Sequence, residues 1–175
     1  MSQSALFVVV AEAEPWVRAL RAQYDPIAQL GVPAHVSVLF PFMPRDDLTG
    51  AVLKRLRAIF REFSAFTFML ERIARFPQTT YLAPEPPEPF AAMTAALVRE
   101  FPDYPPYGGR FAQVIPHLTV ADQSEAFASI AERALATELQ RRGTIRATCK
   151  TVELFENSND GYWTHYESFA LRNGV

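Results

Sequence analysis

IPHLTVAD, residues 115–122, decides how this chain is read, together with its echo AHVSVLF at residues 34–40. In each, a histidine stands two places before a hydroxyl residue inside an otherwise apolar stretch. The chain has only 3 histidines, so two of them in matching frames call for a common cause. In a β-strand, residues i and i+2 share a face and stand about 6.6–6.8 Å apart. His35 therefore shares a face with Ser37, and His117 with Thr119. Val36, Val38, Leu118 and Val120 turn to the opposite side, which must be core.

Two imidazoles and two hydroxyls on cleft-facing strands form a set suited to phosphoryl chemistry. A neutral imidazole can take a proton from a nucleophile, and a protonated one can give a proton to the leaving oxygen. The hydroxyls can donate to non-bridging phosphate oxygens. One His-x-Ser/Thr in a strand is commonplace. Two copies with an apolar residue between, a valine after, a proline shortly before and a helix beyond point to a duplicated functional element.

The rest of the pattern falls into two similar halves. Residues 5–11 read as a buried strand, and residues 14–30 carry helical spacing at Trp16, Leu20, Ile27 and Leu30 before Gly31 and Pro33. After the strand His35 to Phe40, Asp46 or Asp47 is expected to cap a helix reaching Phe63. Strands are expected at 66–76 and 79–83. The PEPPEP segment at 84–89 reads as a rigid connection into a helix bearing Phe90, Met93, Leu97 and Phe101. The loop at 102–116 is long enough to be functional. A strand at 117–121 and a helix from Ser124 to Arg142 follow. Strands Ile145 to Glu156 and Tyr162 to Arg172, joined by a turn at NSNDG, close the chain.

Composition narrows the classes. The 175 residues suit one domain, or two closely packed lobes, and 49% hydrophobic with 21% charged residues describes a chain that folds. A formal charge of -2 gives no basic field for long nucleic acid. Cys149 is the only cysteine, which excludes an intrachain disulfide and a cysteine-built zinc site and makes a reducing cytoplasm the expectation. The start MSQSALFVVVAEAEPW has no basic leader, and its apolar run is far shorter than the ~20 residues of a membrane helix. Neither a membrane association nor an obligate protein partner is expected.

With these residues in view, the chain resembles the 2H phosphoesterase superfamily, which includes the 2′-5′ RNA ligase-like proteins and the 2′,3′-cyclic phosphodiesterases. GVPAHVSVLFPF, TTYLAPEPPEPF, FPDYPPYGGRF and IPHLTVAD look like segments of the 2′-5′ RNA ligase-like branch. The resemblance implies an α+β fold of two pseudo-symmetric lobes, with antiparallel sheets facing a central cleft and helices outside. It implies His35 and His117 as catalytic residues and Ser37 and Thr119 as phosphate-binding ones. The expected reaction is metal-independent and cofactor-free, on a nucleotide cyclic phosphate or an RNA terminus. Two departures stand out: Ala34 where a proline usually precedes the first histidine, and Ser37 in place of the commoner threonine.

Other readings compete. A nucleobase needs an aromatic platform, for which Phe42, Tyr81 and Tyr107 are candidates, and Arg110 could meet a phosphate. His165, in WTHYESF, is read as a sheet histidine pairing locally with Glu167 or solvent. A zinc site of His35, His117 and His165 would leave Ser37 and Thr119 without a purpose. Ser37 lacks the GxSxG turn of a nucleophile. A non-catalytic module binding an RNA end or nucleotide in the same cleft is the alternative to an enzyme. It could exchange either histidine for arginine with little loss, whereas a catalyst could not.

Overall fold

The computed structural model describes residues 3–158 and 160–173. Its first strand, β1 (Ser4–Val9), is buried along nearly its whole length, which is why SALFVV reads as a continuous apolar run without alternation. The helical stretch expected over 14–30 is two helices, α1 (Glu14–Tyr24) and α2 (Pro26–Gln29). Pro26 has no N–H to continue α1 and biases Asp25 to extended backbone, where its carboxylate caps α2 by accepting from Ile27 N at 3.3 Å.

The strand β2 (His35–Leu39) carries the first motif. The next helix, α3 (Gly50–Phe60), starts later than expected. Asp46 and Asp47 lie in a separate 3-10 turn, and Thr49 is the cap, its hydroxyl accepting from Val52 N at 3.4 Å. The hairpin β3 (Phe66–Phe76) and β4 (Thr79–Glu85) leads into α4 (Glu88–Glu100), then the loop and β5 (Leu118–Asp122). Ser124 caps α5 (Glu125–Arg142) through Phe127 N.

The strand expected over 145–156 is broken at Lys150 into β6 (Ile145–Cys149) and β7 (Thr151–Asn157). The buried residues show why: Ile145, Ala147 and Cys149 are odd-numbered, whereas Val152 and Leu154 are even, so one flat strand could not bury both sets. β8 (Trp163–Ala170) pairs with β7, and the register slips opposite Leu154 and Phe155. Of the NSNDG turn, Asn159 lies outside the described residues.

The eight strands among the described residues form one antiparallel sheet in the order β6-β3-β4-β5-β2-β1-β7-β8. It divides into halves of matching plan, β8-β7-β1-β2 and β6-β3-β4-β5, which meet where Val36 pairs with Leu118. Lys150 alone joins β6 to β7 although β3, β4, β5, β2 and β1 lie between them in the sheet, so the sheet must curl into a half-barrel. The chain also trades elements between halves. The hairpin following β2 extends the β5 half, and β7 and β8, which follow β5, extend the β2 half.

The helices lie on the convex side, with α1 over β5 and α5, α4 over β2, α5 over β4 and β3, and α3 over β8. Leu6, Val8, Val36, Val38, Leu118 and Val120 turn toward them into the main core, joined by Phe60, Phe68, Phe90 and Leu97. Each buried aliphatic or aromatic side chain there contributes roughly 1.5–3 kcal/mol relative to exposure. Ala5 and Phe7, on the other face of β1, form a smaller cluster with Val32, Phe155 and Trp163. No helix among the described residues is long and apolar enough to cross a membrane.

Candidate active site

The site follows from the central strand pair. Val36 and Leu118 are antiparallel partners, and both are fully buried in the core. Continuing that register sets His35 across from Thr119 and Ser37 across from His117, all four on the face opposite the core. Each histidine thus has a hydroxyl two residues along its own strand and another across from it, and the two imidazoles take diagonal corners of one quadrilateral.

Both rings are held in the same manner. His35 Nδ1 lies 2.8 Å from the Pro33 carbonyl, and His117 Nδ1 lies 2.6 Å from the Ile115 carbonyl. A carbonyl can only accept, so Nδ1 carries the hydrogen and each Nε2 is left for chemistry. His35 packs on Phe7 with ring centres 4.1 Å apart. His117 meets the edge of Phe76 at 5.4 Å and lies 5.3 Å from Tyr81.

The electrostatic settings differ. Burial pushes the His35 imidazole down to about 3, and the Arg21 guanidinium pushes in the same direction. Burial also lowers His117, but its bond to the Ile115 carbonyl and the Asp122 carboxylate work against the shift. The Asp122 carboxylate thus favours the protonated form of His117, whereas the Arg21 guanidinium disfavours that of His35.

A stability prediction follows from His35. With a folded value near 3 and an unfolded value near 6.5, the unfolded chain binds more protons throughout that interval, so stability falls as pH drops across it. Urea unfolding at pH 7 and pH 4.5 should show a larger loss in the wild-type protein than in His35→Asn. Equal losses would contradict the buried, neutral imidazole.

The segment before His35 is anchored by α1. Glu14 Oε1 accepts from Ala34 N at 2.7 Å, and Arg21 Nη1 donates to the Val32 carbonyl at 3.2 Å. The Arg21 guanidinium is itself paired with Asp25, Nε and Nη2 lying 3.0 and 2.9 Å from Oδ2, with both residues buried. Ala34 now has a reason to differ from proline: its N–H makes a bond that proline could not make.

A cavity of about 580 Å³ opens beside His117 and Thr119, with Phe76, Tyr107 and Asp122 among its lining residues. Tyr107 is aimed there by unusual backbone. It has φ 52, Gly108 and Gly109 follow at φ 63 and φ 74, and its N–H donates to the Phe40 carbonyl at 2.6 Å. Burial raises the Tyr107 hydroxyl above the usual phenol range, while the nearby Ser37 side chain opposes the rise. The loop thus reaches from the second motif to the first.

A family model described as the 2′-5′ RNA ligase superfamily matches residues 9–161, most of the chain and both motifs. The chain belongs to the 2′-5′ RNA ligase superfamily. Among its relatives is a Bacillus licheniformis protein provisionally named a phosphoesterase, 24% identical over 160 residues that cover 86% of this chain and 87% of that one. The fold is shared with a Thermus thermophilus protein, at TM-score 0.64 and 19% identity over 99% of this chain and 100% of the other. It is also shared with Escherichia coli LigT complexed with 3′-AMP, at TM-score 0.60 and 15% identity over 97% and 98% of the two chains.

For this superfamily member, the aromatic candidates separate. Tyr107 lines the cavity. Phe42 does not reach it: the ring is 3% exposed and packs against Phe101 and Tyr104 in the core. Tyr81 is 5% exposed and stacked on Phe76 behind His117, where it serves as a wall and offers no platform. Arg110 is exposed on the loop, outside the cavity lining.

His165 does pair locally, but with Glu153 at 2.8 Å and Ser168 at 3.0 Å, while Glu167 pairs with Arg57. Phe7 and Phe155 lie between His35 and His165, and no three His, Cys, Asp or Glu side chains among the described residues form a metal-holding group. Glu14, Arg21, Phe76 and Asp122 escaped the sequence reading. Asp122 alone left a signal, as the charged residue ending the second motif strand.

Proposed function

We propose that this protein is a phosphoesterase that hydrolyses a 2′,3′-cyclic phosphate or 2′-linked phosphodiester of a nucleotide or RNA end by two-histidine acid–base catalysis. The observation that carries the proposal is the diagonal placement of two imidazoles, each fixed through Nδ1, with a hydroxyl across from each. One Nε2 accepts a proton from water as its oxygen attacks phosphorus. The other, protonated, gives its proton to the sugar oxygen as the P–O bond breaks, leaving a monoester. Ser37 and Thr119 donate to the non-bridging oxygens, whose charge grows in the transition state. The four groups form a complete acid–base set, so extended treatment with a chelator should leave turnover unchanged. A reducing cytoplasm as its setting is part of the proposal and rests on the lone, buried Cys149.

The test is turnover by the purified protein of a 2′,3′-cyclic nucleotide, an ADP-ribose cyclic phosphate and an oligonucleotide ending in a cyclic phosphate. Cleavage of at least one is expected, and failure on all three with ligand still binding would replace the enzyme by a binding module. On the cleaved substrate, Ser37→Ala and Thr119→Ala should each lower kcat about five- to tenfold. Each removes one hydrogen bond worth about 1–1.5 kcal/mol that water partly replaces. Losses as large as those of the histidine variants would point to a role beyond phosphate binding.

A further inference from the structure

The cavity beside His117 has a composition that the phosphate chemistry leaves unexplained. Phe76 and Tyr107 contribute aromatic rings, and Phe111, 62% exposed, meets Tyr107 edge-on at 5.6 Å. An aromatic so open to water at a cavity rim offers apolar area to a ligand. Asp122 is the only charged side chain among the described residues lining the cavity, and neither lysine nor arginine joins it. Its Oδ1 accepts from the Thr79 hydroxyl at 2.7 Å, which orients the carboxylate. Gln78 and Gln113 complete the polar lining.

Aromatic walls without a cation do not suit a second phosphate, which the carboxylate would repel. They suit a flat, uncharged heterocycle with a hydrogen-bond donor for the carboxylate. Guanine, adenine and cytosine each carry an exocyclic amino group, whereas uracil presents carbonyl oxygens at the corresponding positions and its one base donor, N3–H, lies between two carbonyl oxygens that the carboxylate repels. The volume is ample for one base. From these features we infer that the cavity is a nucleobase subsite in which Asp122 selects amino-bearing bases over uracil, with the base stacked among Phe76, Tyr107 and Phe111. The inference deepens the proposed function, because it takes the reacting phosphate to lie at the adjoining His117 and Thr119.

Calorimetric titration with guanosine, adenosine, cytidine and uridine 2′-monophosphates tests selection without requiring turnover. The three amino-bearing nucleotides should bind about tenfold more tightly than the uridine one, the effect of one hydrogen bond to a charged acceptor. Asp122→Ala should level the four, and Asp122→Asn, whose amide can donate to a uracil carbonyl, should favour uridine. Equal binding of all four by the wild-type protein, an unchanged order in Asp122→Ala, or no binding at all would overturn the inference. Cleavage of cyclic phosphates assayed on the same preparations separates the two claims. Turnover with indiscriminate binding sinks base selection alone, and selective binding without turnover sinks the phosphoesterase.

Discussion

His35→Ala and His117→Ala should each lower turnover of a cyclic phosphate substrate by at least ~10²-fold, the usual contribution of a general acid or base. Each substitution removes the Nε2 to which proton transfer is assigned while leaving the opposite hydroxyl in place, so the loss should fall on kcat more than on KM. In the proposed mechanism one imidazole accepts while the other donates, so the double variant should lose less than the product of the single losses. His35 packs on Phe7 and is 9% exposed, so unfolding midpoints must be recorded alongside, and a folded but inactive His35→Ala is the expected result. Wild-type turnover by either folded variant would remove that histidine from the chemistry.

Asp25→Ala should destabilise the protein by about 3–5 kcal/mol, the penalty for leaving a buried partner charge without its counter-ion. Arg21 and Asp25 are 3% and 2% exposed, so water cannot take over the lost pairing. Asp25 also caps α2, adding ~1 kcal/mol to the loss. Arg21 donates to Val32 in the segment that supplies the Pro33 carbonyl to His35, so activity at sub-denaturing temperature should fall as well. Urea unfolding measures the stability change, and a shift below ~1 kcal/mol would contradict the pairing. Replacing both partners together, as in Arg21→Met with Asp25→Leu, should recover part of the loss.

The motif strands were legible because their information is local. Period-two alternation places His35 with Ser37 and His117 with Thr119 whatever the surrounding fold, and the buried Val36 and Leu118 agree with it. The exchange of hairpins between halves was not legible, since nothing in Thr67 or Thr151 states which distant strand will pair with it. The break at Lys150 left a trace in the switch of buried residues from odd to even numbers, but apolar periodicity had joined the two strands. Among the 14 phenylalanines and 6 tyrosines, core and cleft residues differ only by tertiary position. That is why Phe42 resembled a platform and Phe76 did not. Arg21 read as an ordinary residue of an amphipathic helix, because its partner Asp25 lies just beyond the helix end and its task lies at Val32.

The pH dependence of kcat/KM on a 2′,3′-cyclic nucleotide tests the central claim most directly. For the free protein, the rate should rise as the base loses its proton and fall as the acid loses its own, giving a bell whose limbs belong to the histidine pair. Since burial lowers both His35 and His117, the maximum should lie on the acid side of pH 6.5. A profile flat from pH 4 to 9, or the same bell in a protein lacking both imidazoles, would contradict two-histidine catalysis.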